Sequence, residues 1–258
     1  MQCVEVLGVR VDDVTYDEAL SLLQGALAAR APSVVTTPNP EIVMLARRHP
    51  AFRAVLNRSA LNIPDGIGLL FAARMVGRRL RQHVQGTDLV LRLAAINFSP
   101  GSALEPRRWF LLGGHGDVAA RAAAALVRQF PSLTIAGAMP GSPLESDDAE
   151  VCAAIRAAGP VDVLLVAYGA PKQELWLDRN LAALGIPVGI GVGGVFNYLS
   201  GDAPRAPAWL RRLHLEWLHR LISQPWRWRR QLALPQFAAL VVVEALRVRL
   251  SIPTSHAR

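Results

Sequence analysis

Apolar runs and amphipathic segments alternate along most of the chain, and glycine, proline and asparagine mark the junctions. The opening stretch CVEVLGVRV reads as short extended structure. Thr15 and Glu18 in TYDE have capping-box spacing and predict a helix through Leu27. PSVVTT is a β-branched strand that ends in TPNPE, where Asn39 suits an N-cap and Pro40 the first helical position. The helical pattern EIVMLARRHPAFRAVLNRS carries Pro50, where it is expected to break. ALNIP predicts a strand, DGIG its turn and LLFAARMVG a helix. A further helix is expected after GTD, to about Ile96. NFSPGSALEPRR is dense in turn residues and is the expected internal boundary.

Beyond it strands and helices alternate strictly. RWFLLGG, the centre of PSLTIAGAMPG, VDVLLVAYG and IPVGIGVGG read as strands. DVAARAAAALVRQF, SDDAEVCAAIRAAG and APKQELWLDRNLAALG read as helices. This order predicts an α/β fold: a Rossmann-like, mostly parallel sheet with helices on both faces. The strands are nearly free of charge. Polar residues and glycines gather at their carboxyl ends, in TTPNPE, IPDGIG, LLGGHGD, AYGAPKQE and GVGGVFNYLSG. Open parallel sheets bind ligands at that edge. The core is expected over 1–204, in two parts at 1–100 and 107–204, which bind the two sides of whatever ligand sits at that edge.

A helical appendage at 205–258 follows and changes the composition. From Arg205 to Arg230 there are seven arginines, four tryptophans and one acid, Glu216. Leu210, Leu213, Trp217 and Leu221 recur at helical spacing. Either this stripe packs on the core, or it lies in a membrane interface with arginines toward phosphates and tryptophans at headgroup depth. The aliphatic segment QLALPQFAALVVVEALRVRL favours membrane over single-stranded nucleic acid, which arginine and tryptophan also suit.

The totals agree. Of 258 residues, 52% are apolar and 19% charged, which gives material for a large core. A net charge of +8 favours polyanionic partners. Two cysteines, Cys3 and Cys152, suggest a reducing compartment rather than a disulfide framework. The first residues lack a basic-then-apolar signal, and Phe237 to Val243 is too short an apolar run to span a bilayer. A cytoplasmic protein that touches a membrane without crossing it is expected.

Individual positions leave alternatives open. Gly114-x-Gly116-x-x-Ala119 is a loose dinucleotide fingerprint, but LTIAGAMPG offers no acid for a ribose. A phosphate or nucleotide turn therefore fits better than an oxidoreductase's nicotinamide site. Asp65 is either an N-cap or a general base facing the cleft. Thr37 and Asn39 could cap or bind a sugar, and Lys172 and Gln173 open a helix where anions are welcome. The six histidines lack metal-ligand spacing and there is no Asp-x-Asp pair, so neither a metal nor another cofactor is expected.

Six motifs occur in order: TPNPE, PDGIG, FLLGG, YGAPKQE-x-W, GVGGVFNYLSG-x-x-x-RAP and EWLHRL-x-x-x-P-x-R-x-x-R. Over about positions 5 to 232 the chain resembles the WecG/TagA/CpsF glycosyltransferases, glycosyltransferase family 26. The resemblance implies an inverting transferase. It would move an N-acetylmannosamine-type or related sugar from UDP to a polyprenyl-diphosphate-linked sugar, as a peripheral enzyme on the inner face of the bacterial plasma membrane. It implies a catalytic set of Asp65, Thr37, Asn39 and Gln173, with Arg220, Arg227 and Arg230 of the appendage closing over the diphosphate. Substrate contacts are expected at Gly66, Gly68, Gly113, Gly114, Gly169, Pro171, Lys172, Gly193, Gly194, Asn197 and Arg205. Asn197 stands where the family usually has aspartate. A homo-oligomer is compatible with the sequence, as a monomer–dimer equilibrium in which the tail docks on the monomer. The readings from other classes are a basic nucleic-acid-binding α/β protein and a nucleotide-dependent oxidoreductase.

Overall fold

The computed structural model describes residues 1–96, 107–213, 215–223, 225 and 228–251. The expected internal boundary falls almost wholly at 97–106, outside the described residues. An antiparallel hairpin opens the chain, β1 (Cys3–Val6) with β2 (Val9–Asp12). Its two-residue turn holds Leu7 and Gly8 at positive φ, 50° and 87°, the pair of angles a type I′ turn needs.

Helix α1 (Tyr16–Ala29) starts on the expected capping box, with both reciprocal bonds formed. Strand β3 (Ser33–Thr36) leads to α2 (Pro40–Arg48), capped by Asn39 through a bond from the Ile42 N–H. Pro50 restarts the helix as α3 (Pro50–Arg58). Strand β4 (Leu61–Asn62), α4 (Ile67–Met75) and α5 (Gly86–Ile96) complete the first half. The second half runs β5 (Arg108–Gly113), α6 (Val118–Gln129), β6 (Thr134–Met139), α7 (Asp148–Ala157), β7 (Val163–Ala167), α8 (Lys172–Leu184) and β8 (Val188–Gly191). A helix then occupies a stretch expected to be a turn, α9 (Val195–Ser200). Its Val195 and Phe196 are buried in the core, and that burial outweighs the glycines before it.

Six strands form one sheet in the order β4-β3-β8-β7-β5-β6, every neighbouring pair parallel. The period of two sorts its side chains. Trp109, Leu111, Val163 and Leu165 face a core shared with α1, α5, α6 and α9. Phe110, Leu112, Leu164 and Val166 face α7 and α8. Burial on both faces explains the uncharged strands.

A third core lies beside the sheet, where the hairpin, α2, α3 and α4 meet the C-terminal helix α13 (Ala233–Ser251). Phe237, Val241 and Ala245 form its buried edge, one helical turn apart. Between core and α13 run the short helices α10 (Ala208–Arg212), α11 (Glu216–Ser223) and α12 (Trp228–Gln231). Their expected stripe is divided: Leu213 and Trp217 are exposed while Leu210 and Leu221 are half-buried, and Trp209 and Trp228 are exposed beside it, as are Val242, Val243 and Leu246 on α13. Among the described residues, no helix is long and apolar enough to cross a membrane.

Gly113, expected to contact substrate, is instead a point of close strand approach. Its φ is 114°, and a Cβ there would lie 2.7 Å from the carbonyl carbon of Ala167. Gly113→Ala should destabilise the fold by about 2–4 kcal/mol, measured by denaturant unfolding. A loss under ~1 kcal/mol would refute the close-approach account.

Candidate active site

All six strands end on one edge, and their following loops enclose a cleft of about 1220 Å³. Thr37 and Asn39 come from the loop after β3, Asp65 from the loop after β4, and Gly114 and His115 from the turn after β5. Pro140 and Gly141 follow β6. Gly169, Pro171, Lys172 and Gln173 follow β7, and Gly193, Gly194 and Asn197 follow β8. Arg230 of α12 closes the other side.

Asp65 is placed by three elements. Its N–H donates to the carbonyls of Pro38 and Ile63, at 3.0 and 2.9 Å. Its Oδ1 accepts from the Gly86 N–H at the start of α5, at 3.2 Å. Gly86 has to be small, because a Cβ would stand 2.9 Å from Thr37 Cγ2 and 3.7 Å from Asp65 Oδ2. Thr37 is buried and its Oγ1 donates to the Gly191 carbonyl at 3.4 Å. Beneath β3 and β4 runs a buried polar seam. Asp12 Oδ2 accepts from the Asn62 N–H at 2.8 Å, and the Thr36 hydroxyl donates to Asn62 Oδ1.

Gln173 is only 2% exposed. Its Oε1 accepts from two backbone N–H groups, Gly169 and Gly193, each at 3.0 Å. The loops after β7 and β8 are thus bolted together by one side chain. Gly191 leaves room for it, since a Cβ there would fall 2.9 Å from Gln173 Nε2.

The model of the WecG/TagA/CpsF family of glycosyl transferases matches residues 4–251. The chain belongs to that family. Similar curated relatives include the N-acetylglucosaminyldiphosphoundecaprenol N-acetyl-beta-D-mannosaminyltransferase of Bacillus subtilis (strain 168). It is 35% identical over 212 residues, 82% of this chain and 80% of the relative. The protein with that activity in Staphylococcus aureus (strain MW2) is 29% identical over 232 residues, 88% and 86% of the two chains. The enzyme is a glycosyltransferase, and its parallel sheet is the fold expected for it.

Several expected contacts lie off the cleft wall of this transferase. Gly66 and Gly68 pack under Pro40, where a Cβ would meet ring carbons at 2.8 and 2.7 Å. Arg205 is paired with Asp88, Nη2 to Oδ1 at 2.5 Å, and reaches Gln85 Oε1 at 3.5 Å. Arg227 and the side chain of Arg220 lie outside the described residues. The sequence reading also missed Gly86, Gly191 and Glu174. Glycines beside a cleft look like ordinary turn residues, and the acid of PKQE looks like a solvated helix position.

Glu174 is fully buried. Its Oε1 accepts from Gln173 Nε2 at 2.8 Å, which orients the amide so that Gln173 Oε1 faces the glycine loops. Among the described residues, its Oε2 has no hydrogen-bond partner. Burial pushes its pKa up to about 7, against the lowering effect of the Gln173 bond. A raised carboxyl pKa means that the native state holds a proton the unfolded chain releases. Stability is therefore fully present below the unfolded value near 4.5 and is lost as pH rises through about 7. Glu174→Gln keeps an acceptor for Gln173 and carries no charge. Its melting temperature should rise above that of the natural chain as pH goes from 5 to 8, and a gap independent of pH would contradict the assignment.

Proposed function

We propose that the enzyme transfers an N-acetylmannosamine-type sugar from UDP to a polyprenyl-diphosphate-linked N-acetylglucosamine, with inversion. The carrying observation is convergence: Asp65, Thr37, Asn39 and Arg230 line one cleft floored by glycine loops, in a chain of this family. The activity for which the relatives are named supports the donor sugar and the acceptor. In this reading Asp65 takes the proton of the acceptor hydroxyl. The oxygen attacks the anomeric carbon from the face opposite UDP, and the sugar–phosphate bond breaks with its electron pair leaving on UDP. Arg230 meets charge on the diphosphate, joined by Arg220 and Arg227 as the family resemblance implies. Gln173 acts through the loops it holds rather than on the reacting atoms.

The acceptor is lipid-linked, and we place the enzyme on the inner membrane face. Exposed Trp209, Trp217, Trp228, Leu213 and Ile222 alternate there with arginines, a composition suited to an anionic headgroup layer.

The test is release of UDP from a panel of UDP-sugars in the presence of an N-acetylglucosamine-diphosphate lipid. UDP-N-acetylmannosamine is the expected donor; failure of every donor would end the reading. Asp65→Asn should lower kcat about 100- to 10,000-fold with little change in melting temperature. Near-normal turnover would remove Asp65 from its role. Among the described residues, no group of three or more His, Cys, Asp or Glu side chains could hold a metal. Guanidinium groups carry the counter-charge in this proposal, so a chelator should leave the rate unchanged; loss of activity, restored by added divalent ion, would reverse that view.

A further inference from the structure

The cleft has two chemically different sides. One is built on the glycine-rich loops after β5, β7 and β8, with His115, Tyr168, Lys172 and Asn197 among its side chains. The other carries an aliphatic strip, Ile42 and Leu45 from α2 with Leu232 and Ala233 where α12 passes into α13, bordered by the polar Glu41, Arg48 and Gln236. Ile42 and Leu45 are three apart and share a helix face. Leu232 is 51% exposed although it lines a cleft. Two cross-links hold this wall together. Gln231 Nε2 donates to Glu41 Oε1 at 3.1 Å, and Arg48 Nη2 donates to Gln236 Oε1 at 3.0 Å.

Apart from its flat base, a sugar nucleotide has little use for such a wall. Its ribose, diphosphate and hexosamine are polar, and covering them with aliphatic carbon would strip their water without replacing its hydrogen bonds. Of the substrates in the proposed reaction, only the prenyl chain of the acceptor gains by leaving water for this surface. Arg230 lines the cleft two residues before Leu232, so a cation for the diphosphate and carbon for the chain come from adjoining positions.

We propose that the wall of Ile42, Leu45, Leu232 and Ala233 is the subsite for the first isoprene units of the acceptor. It rests on the transferase reading and adds to it that acceptor selection includes direct recognition of the lipid, beyond delivery by the membrane. The subsite is shared between core and appendage, so neither part makes it alone.

The test uses the full chain and two acceptors with the same N-acetylglucosamine-diphosphate head. One carries a prenyl chain short enough to stay monomeric in water, the other a methyl ester. The natural enzyme should show the lower acceptor KM with the prenyl compound. Leu45→Gln and Leu232→Gln should each raise that KM about tenfold, while KM for the methyl ester and for the donor stay unchanged. Leu232 is half exposed, so its variant keeps the experiment readable if Leu45→Gln proves unstable. Full retention of the prenyl preference in the Leu232 variant would overturn the subsite. An equal rise for both acceptors, or a rise in donor KM, would overturn it too. A natural enzyme that transfers to both acceptors with equal KM would sink the subsite but leave the transferase reading standing. No transfer to either acceptor from any donor would remove that reading as well.

Discussion

One buried carboxamide sets the distance between the two glycine loops on which the cleft rests. Gln173 Oε1 takes the N–H groups of Gly169 and Gly193 together. Each bond alone contributes about 1 kcal/mol. Their larger effect is geometric, because short loops on a rigid sheet have few other ways to be tied. The pair explains two otherwise odd features: Gly191 in a strand that favours branched residues, and an acid at the heart of the protein. Glu174 is the cost of orienting Gln173, a desolvated carboxyl whose second oxygen has no partner among the described residues.

The sheet supplies the rigidity this arrangement needs. Its strands are buried on both faces, with Trp109 and Trp176 fully enclosed on opposite sides. Such packing resists small displacements. Asp65 is then positioned by backbone, with bonds to or from Pro38, Ile63 and Gly86, and not by a flexible side-chain network alone. The third core, around α13, brings the appendage to the same edge and completes the cleft with Arg230.

Local chemistry made much of this readable in advance. The Thr15–Glu18 box, the Asn39 cap, the restart at Pro50 and the polar strand ends depend on a few neighbouring residues, and each has its observed counterpart. What stayed hidden depends on distant partners. Helix α9 forms because Phe196 has a core to enter, which GVGGVFNYLSG does not reveal. Gly113 and Gly66 resemble ligand-facing glycines until Ala167 and Pro40 are seen against them. The apolar stripe of the appendage could have been packing or surface; that Leu213 and Trp217 are exposed while Leu210 and Leu221 are half-buried needed the arrangement of α10 and α11 on the core. Asp65 as cap or base was undecided locally, and the structure shows it beside the cleft with the α5 amide on its carboxylate.

The first turn of α5 has two sets of attachments. Gly86 holds Asp65, while its neighbours reach the tail: Gln85 Nε2 donates to Glu216 Oε2 at 3.0 Å, and Asp88 pairs with Arg205 and approaches Arg211 at 4.0 Å. A single helical turn is therefore the anchor common to the carboxylate and the arginine-rich appendage. The position of the Asp65 carboxylate and the docking of α10 and α11 on the core therefore depend on the same few residues, Gln85 to Asp88.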